Sequence, residues 1–227
     1  MIPLRDSVRS GRRPYVNISL VLINIFVFIQ QLAIEPYQLN QIYYTYGVIP
    51  AEALNVFFAG GPSLPLAISF ITATFIHGGW FHLIGNMLFL WIFGDNIEDR
   101  LGRARYLLFY LTVGVAGGVA HVLTNPASTI PVIGASGAVA GVLGAYLITF
   151  PRSRILALVP VLFFITVVEV PAVIFIAVWF AIQIFNGVAF LGGTANAVAW
   201  WAHIGGFLAG LALIKLMARR GAVFARP

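Results

Sequence analysis

The sequence contains no cysteine, and only 9% of its 227 residues are charged. The first absence excludes a disulfide framework, a thiolate metal site and a cysteine nucleophile. The second excludes an ordinary soluble domain, in which about a quarter of the residues carry charge. No His-Glu-x-x-His helix or equivalent carboxylate is present, which removes metal-dependent proteolysis from consideration. There is also no low-complexity tract and no internal repeat, so the chemistry has to lie among the apolar segments of a single domain, 1–227, with its core at about 16–216.

What is present is apolar: 60% of the residues. Long apolar stretches run over 16–34, 80–94, 106–123, 137–150, 171–187 and 197–216. Most of them approach the ~20 residues needed to cross a ~30 Å hydrocarbon core. A further run, 155–168, would reach only about 21 Å as a helix, so it is either a short span or an interfacial segment.

Charge placement separates these alternatives. Arg5, Arg9, Arg12 and Arg13 precede the first stretch, and Arg100, Arg103 and Arg105 lie between the second and third. Arg152 and Arg154 follow the fourth, and Lys215, Arg219, Arg220 and Arg226 follow the last. With six spans every basic residue falls on one side, the cytoplasm by the positive-inside rule, whereas a seventh would put the basic C-terminus outside. The expectation is an all-α membrane protein, a bundle of six transmembrane helices with both termini cytoplasmic and 155–168 in the interface. The apolar outer stretch 35–79 is expected to be interfacial as well.

The formal charge of +6 is split into short groups beside the spans, which suits orientation and anionic lipid better than a nucleic-acid partner. The N-terminus imitates a secretory signal, but Gln31-Leu32-Ala33-Ile34 offers no small-x-small cleavage site, so it is expected to remain as the first helix.

Polar groups are costly in a bilayer and usually functional, which makes His77, His82, Asn86, His121, Ser136 and His203 the residues to weigh. Counting from the cytoplasmic ends, Ser136 lies 14 residues above Phe150, His82 lies 12 above Gly94, and His203 lies 12 above Lys215. Those offsets correspond to roughly 21, 18 and 18 Å, one common depth about 10 Å below the outer surface. The fourth helix is too short to span alone, so the loop before it has to descend, placing Ser136 at a helix N-terminus where free N–H groups and the dipole favour a developing oxyanion.

Gly134 and Gly137 flank the serine and leave room for a substrate backbone. Gly206-Phe207-Leu208-Ala209-Gly210 and Gly137-Ala138-Val139-Ala140-Gly141 are small-residue faces that allow the last and fourth helices to approach closely. No carboxylate lies at that depth to orient His203, so the pair is expected to act as a dyad. His82 and Asn86, four apart on one helix face, are suited to an oxyanion site.

His82-Leu83-Ile84-Gly85-Asn86, Gly134-Ala135-Ser136-Gly137 and Ala202-His203-Ile204-Gly205, in this order and on these helices, resemble the rhomboid intramembrane serine proteases. The resemblance covers 16–216. It implies that Ser136 attacks, that His203 takes its proton, and that His82, Asn86 and the Ser136 backbone N–H hold the oxyanion. It also implies a single-span protein substrate entering sideways near the second and fifth helices, a mobile cap in the loop after Gly187, no metal and no cofactor. A bacterial plasma membrane is the expected location. The chain departs from the family pattern at Ala140, where many members have an aromatic residue, and at Ile68-Ser69, where a Trp-Arg pair is common.

Plainer roles exist for each residue. A lone Gly-x-Ser-Gly in a glycine-rich helix is ordinary packing, and His203, His82 and Asn86 could each bridge helices, worth ~0.6 kcal/mol on average. His77 is expected to support the loop, His121 to be structural, and Glu169 to pair with Arg152 or Arg154. The rival functions are an inactive rhomboid-like scaffold that binds membrane proteins and a transporter or proton relay, the latter weakened by the absence of an inverted repeat and of an intramembrane carboxylate.

Overall fold

The computed structural model describes residues 1–61, 63–161, 164–190 and 198–218. In chain order the elements are β1 (Ile2–Asp6), α1 (Tyr15–Leu32), α2 (Pro36–Tyr46), α3 (Pro50–Gly60), α4 (Leu64–Thr72), α5 (Trp80–Leu101), α6 (Arg103–Thr124) and α7 (Ser136–Thr149). They are followed by β2 (Arg154–Val161), β3 (Phe164–Pro171), α8 (Ala172–Ala189) and α9 (Trp200–Met217). Among the described residues α1, α6, α8 and α9 are long and apolar enough to cross a membrane. A 3-10 turn extends α4, and this unit with α5 makes a fifth candidate, bent by 87°, while α7 is a shorter apolar helix of 14 residues.

The all-α expectation is corrected at one end of the molecule. The described residues of the run 155–168, which are 155–161 and 164–168, belong to neither a span nor a helix: β2 and β3 pair antiparallel, and β1 adds to them in a three-stranded antiparallel sheet of order β1-β2-β3. The composition accounts for this, since Ile155, Val159, Ile165, Thr166, Val167, Val168 and Val170 are β-branched and fit a pleated strand. Pro160 opposes a helix and lies beyond the part of β2 that β1 pairs with, where a missing N–H is tolerated. Asp6 anchors β1 to the helices, accepting from Tyr146 Oη on α7 (2.5 Å) and Asn96 Nδ2 on α5 (2.8 Å).

The outer stretch folds as three helices, each opened by a proline in its first turn, where an N–H would be unpaired anyway. Phe57, Phe58 and Leu64 of this stretch are exposed. On the opposite side, α1 begins after Pro14 without a side-chain cap of its own. Glu98 of α5 supplies one, accepting from the N–H groups of Val16 (3.1 Å) and Asn17 (2.7 Å). Asn17 in turn accepts from Tyr106 Oη of α6 (2.7 Å) and donates to the Leu90 carbonyl (3.0 Å). These bonds fix α1, α5 and α6 to one another where apolar packing alone would let them slide.

At the centre, α7 is buried on all sides; only Ser136, Leu147 and Ile148 are not. Its most extensive partner is α9, and α6 packs on both. The reason is glycine: a Cβ at Gly206 would overlap the Gly137 carbonyl oxygen, one at Gly210 the Gly141 carbonyl oxygen, and one at Gly144 the Phe207 carbonyl oxygen. Backbone therefore touches backbone along the whole α7–α9 seam.

Gly210→Val should force that seam apart. We expect a loss of about 1–3 kcal/mol or more, read as a lower thermal midpoint in detergent, whereas Leu208→Val on the exposed side of α9 should change little. Asp6 carries a pH dependence: burial raises its pKa above the ordinary value, outweighing its hydrogen bonds. A raised carboxyl pKa disfavours the fold once the group is ionised, a cost absent below the unfolded-state value and present above the folded-state one. Wild type should accordingly gain thermal stability relative to Asp6→Asn as pH falls from neutrality into the ordinary carboxylate range; a constant difference throughout would show that Asp6 is not perturbed.

Candidate active site

The stretch before α7 is held in place by backbone bonds. Val48 and Val132 exchange both hydrogen bonds (3.0 and 2.8 Å), Ala51 donates to Ser128 (3.0 Å), and Gly134 donates to the Ala73 carbonyl (2.8 Å). Gly134 sits at φ +118°, a conformation L side chains rarely adopt, and a Cβ there would overlap Nε2 of His82. Glycine is therefore required twice over, by the turn and by the imidazole lying against it. The chain then enters α7 with Ser136 as its first residue, in a cavity of about 800 Å3.

That cavity brings together Ser136, His203, His82 and Asn86. The common depth inferred from residue counting thus corresponds to one shared space. Gly137 stands apart from the cavity wall and serves the α7–α9 approach, while Gly134 shapes the loop behind His82. No hydrogen bond joins Ser136 to His203 among the described residues; such bonds commonly tighten only when substrate is bound.

His82 accepts from the Gly78 N–H at Nδ1 (3.5 Å, the long end of a hydrogen bond), which leaves Nε2 as the protonated nitrogen, on the side of Gly134. Asn86, one helical turn further on, is buried, and its Nδ2 has no partner among the described residues. A buried amide donor without a partner is costly in a folded protein, and a site for a transient oxyanion is one place where that cost serves a purpose.

His77 lies outside the cavity lining and does the work of a loop support. Its N–H and carbonyl are both taken by the Gln31 amide (3.1 and 2.8 Å), and its ring meets His82 edge to face at 5.0 Å. His121 differs from the expectation of a purely structural residue by lining the cavity, with Nδ1 unpartnered among the described residues. Glu169 is on β3 opposite Leu156, away from the cavity. The cap expected after Gly187 falls in 191–197, outside the described residues, as do Arg219, Arg220 and Arg226.

The surroundings of His203 were not legible from the motifs. Trp179 of α8 stacks on its ring (centroids 6.2 Å, 30°), and Trp200 meets it edge-on (6.0 Å, 82°). Gln183, also on α8, places Oε1 2.8 Å from His203 Nδ1. Its signal was available: an amide inside α8, the most apolar of the candidate spans among the described residues, is as conspicuous in lipid as a histidine.

The Rhomboid domain family model matches residues 66–220, which include every one of these cavity groups. The chain is 39% identical over 77 residues to "Putative rhomboid protease YdcA" of Bacillus subtilis, covering 34% of this chain and 38% of that protein. It is 42% identical over 77 residues to "Rhomboid protease GluP" of the same organism, covering 34% and 15%. It is 31% identical over 143 residues to "RHOMBOID-like protein 5" of Arabidopsis thaliana, covering 63% and 41%. In each case the match spans less than half of the relative's own length.

Asn86→Ala should leave the folded protein intact in detergent, because the amide nitrogen it removes has no partner to lose. The rate at which a fluorophosphonate traps Ser136 should nevertheless fall by about 10²–10³-fold, the usual cost of one oxyanion donor. An unchanged trapping rate would mean that Asn86 faces away from the oxyanion.

Proposed function

The chain belongs to the rhomboid family, and from that premise we propose that it is an intramembrane serine endopeptidase cleaving transmembrane segments of single-span proteins. The observation that carries the proposal is the meeting of Ser136, His203, His82 and Asn86 in one cavity at the N-terminus of the central helix. Ser136 Oγ attacks the scissile carbonyl carbon, and its proton passes to His203 Nε2. The carbonyl electrons move onto oxygen, which is met by His82 Nε2–H, Asn86 Nδ2–H and the Ser136 N–H at the positive end of the α7 dipole. His203 returns the proton to the leaving amine, and water, deprotonated by His203, hydrolyses the acyl-enzyme.

The same proposal includes the finer topology. The basic residues support α1, α5, α6, α7, α8 and α9 as six spans with both termini cytoplasmic, and the two Bacillus subtilis relatives are in keeping with a bacterial plasma membrane. Substrate would enter between α5 and α8, where Phe81, Ile182 and Phe185 face outward. No metal or cofactor takes part in these steps.

Purified wild type, Ser136→Ala and His203→Ala should be incubated in detergent with a reporter containing one transmembrane segment. Wild type should cleave it and label with a fluorophosphonate, both folded variants should lose cleavage by about 10⁴-fold or more, and Ser136→Ala should take no label. Cleavage by Ser136→Ala at the wild-type rate would refute the assignment. Wild type that neither cleaves nor labels would favour an inactive rhomboid-like scaffold.

A further inference from the structure

On the reading that His203 is the general base, we propose that Gln183 is its positioning residue, fixing the imidazole in the tautomer that leaves Nε2 free for the serine proton. α8 is mostly turned outward, with Ile182 and Phe185 exposed, and buries a single stripe of Phe175, Ile176, Gln183 and Gly187. An amide on that stripe is expensive unless both of its polar atoms are bonded. Both are: Nε2 donates to the Trp179 carbonyl one turn back (3.0 Å), and Oε1 lies 2.8 Å from His203 Nδ1.

The orientation of the amide follows from these two contacts. Reversing it would set Oε1 against the Trp179 carbonyl, two acceptors facing each other with no proton between them. Because the Trp179 carbonyl can only accept, the amide nitrogen belongs there and the oxygen belongs at His203. An acceptor at Nδ1 requires that nitrogen to carry the hydrogen, so the lone pair is on Nε2. The role is the one a carboxylate plays in a triad, performed by a neutral group in a depth where an ionised carboxylate would be costly. The stacked Trp179 ring keeps the imidazole from turning out of this bond.

The test compares wild type, Gln183→Leu and Gln183→Glu in the reporter assay, with Ser136→Ala alongside, measuring kcat, KM, the acid limb of the pH profile and thermal stability. Gln183→Leu removes the acceptor. It should lower kcat by at least ~10-fold, short of the ~10⁴-fold that follows loss of a triad carboxylate, and leave KM within ~2-fold. It should also move the acid limb to lower pH, because an acceptor at Nδ1 favours the protonated imidazole that cannot act as base. Gln183→Glu retains an acceptor, so kcat should return to within a few-fold of wild type with the acid limb at or above its wild-type position.

A role confined to packing would change stability or KM and leave the acid limb in place, and that result overturns the inference. So does a Gln183→Leu protein with wild-type kcat, or a folded Gln183→Glu protein no better than Gln183→Leu. Should Gln183→Leu fail to fold, the kcat and acid limb of Gln183→Glu decide. Residual cleavage by Ser136→Ala is a different result, which removes the dyad assignment itself.

Discussion

Backbone contact between α7 and α9 is the constraint from which the arrangement of the site follows. Helices normally stand 8–10 Å apart because side chains separate them. Here Gly206 and Gly210 lie against the carbonyls of Gly137 and Gly141, and Gly117 of α6 lies against the Ala202 carbonyl beside His203. Serine has a short side chain, and an imidazole carried on a neighbouring helix meets it only if the helix axes come together. On the proposed function the glycines therefore belong to the chemistry as much as the serine does, since each added methyl group would lengthen the gap between Ser136 and His203.

Lipid offers apolar side chains no preference for one another over the surrounding acyl chains, so the hydrophobic effect alone does not fix helix register. In this molecule that task falls to a few buried amides and one carboxylate. Glu98 and Asn17 join α1, α5 and α6; Gln31 clamps the backbone of His77 at the outer end of α5; Gln183 joins α8 to α9. Each of these groups would be a liability in an apolar medium if unpaired. Across α1–α5, α1–α6 and α8–α9 they fix a register that van der Waals packing alone leaves degenerate.

Much of this was readable in the sequence because a membrane narrows the choices. Span length, the side on which arginines collect and the rarity of polar residues placed Ser136, His82 and His203 at one depth before any coordinates. The structure puts them in one cavity. Two things escaped. The run 155–168 was weighed only as a span or an interfacial segment, because period and length do not separate a short apolar helix from a strand; its β-branched content and Pro160 carried the signal for the paired strands. Gln183 and Trp179 escaped because a motif identifies the groups that react, whereas the groups that orient them are recognised by contact across helices. Residue spacing within α8 says nothing about which face of α9 it meets.

The placement of the orienting amide has a mechanical consequence. Among the described residues α8 is the least internally buried of the long apolar helices. It also contributes Trp179 and Gln183 to the lining of the cavity that holds Ser136. A base whose tautomer is held from α6 or α7 would be indifferent to the seating of α8; one held from α8 is not. With Gln183 on this helix, the Nδ1 bond depends on how α8 is seated against α9. On the proposed function, the orientation of the base is thereby tied to the position of α8.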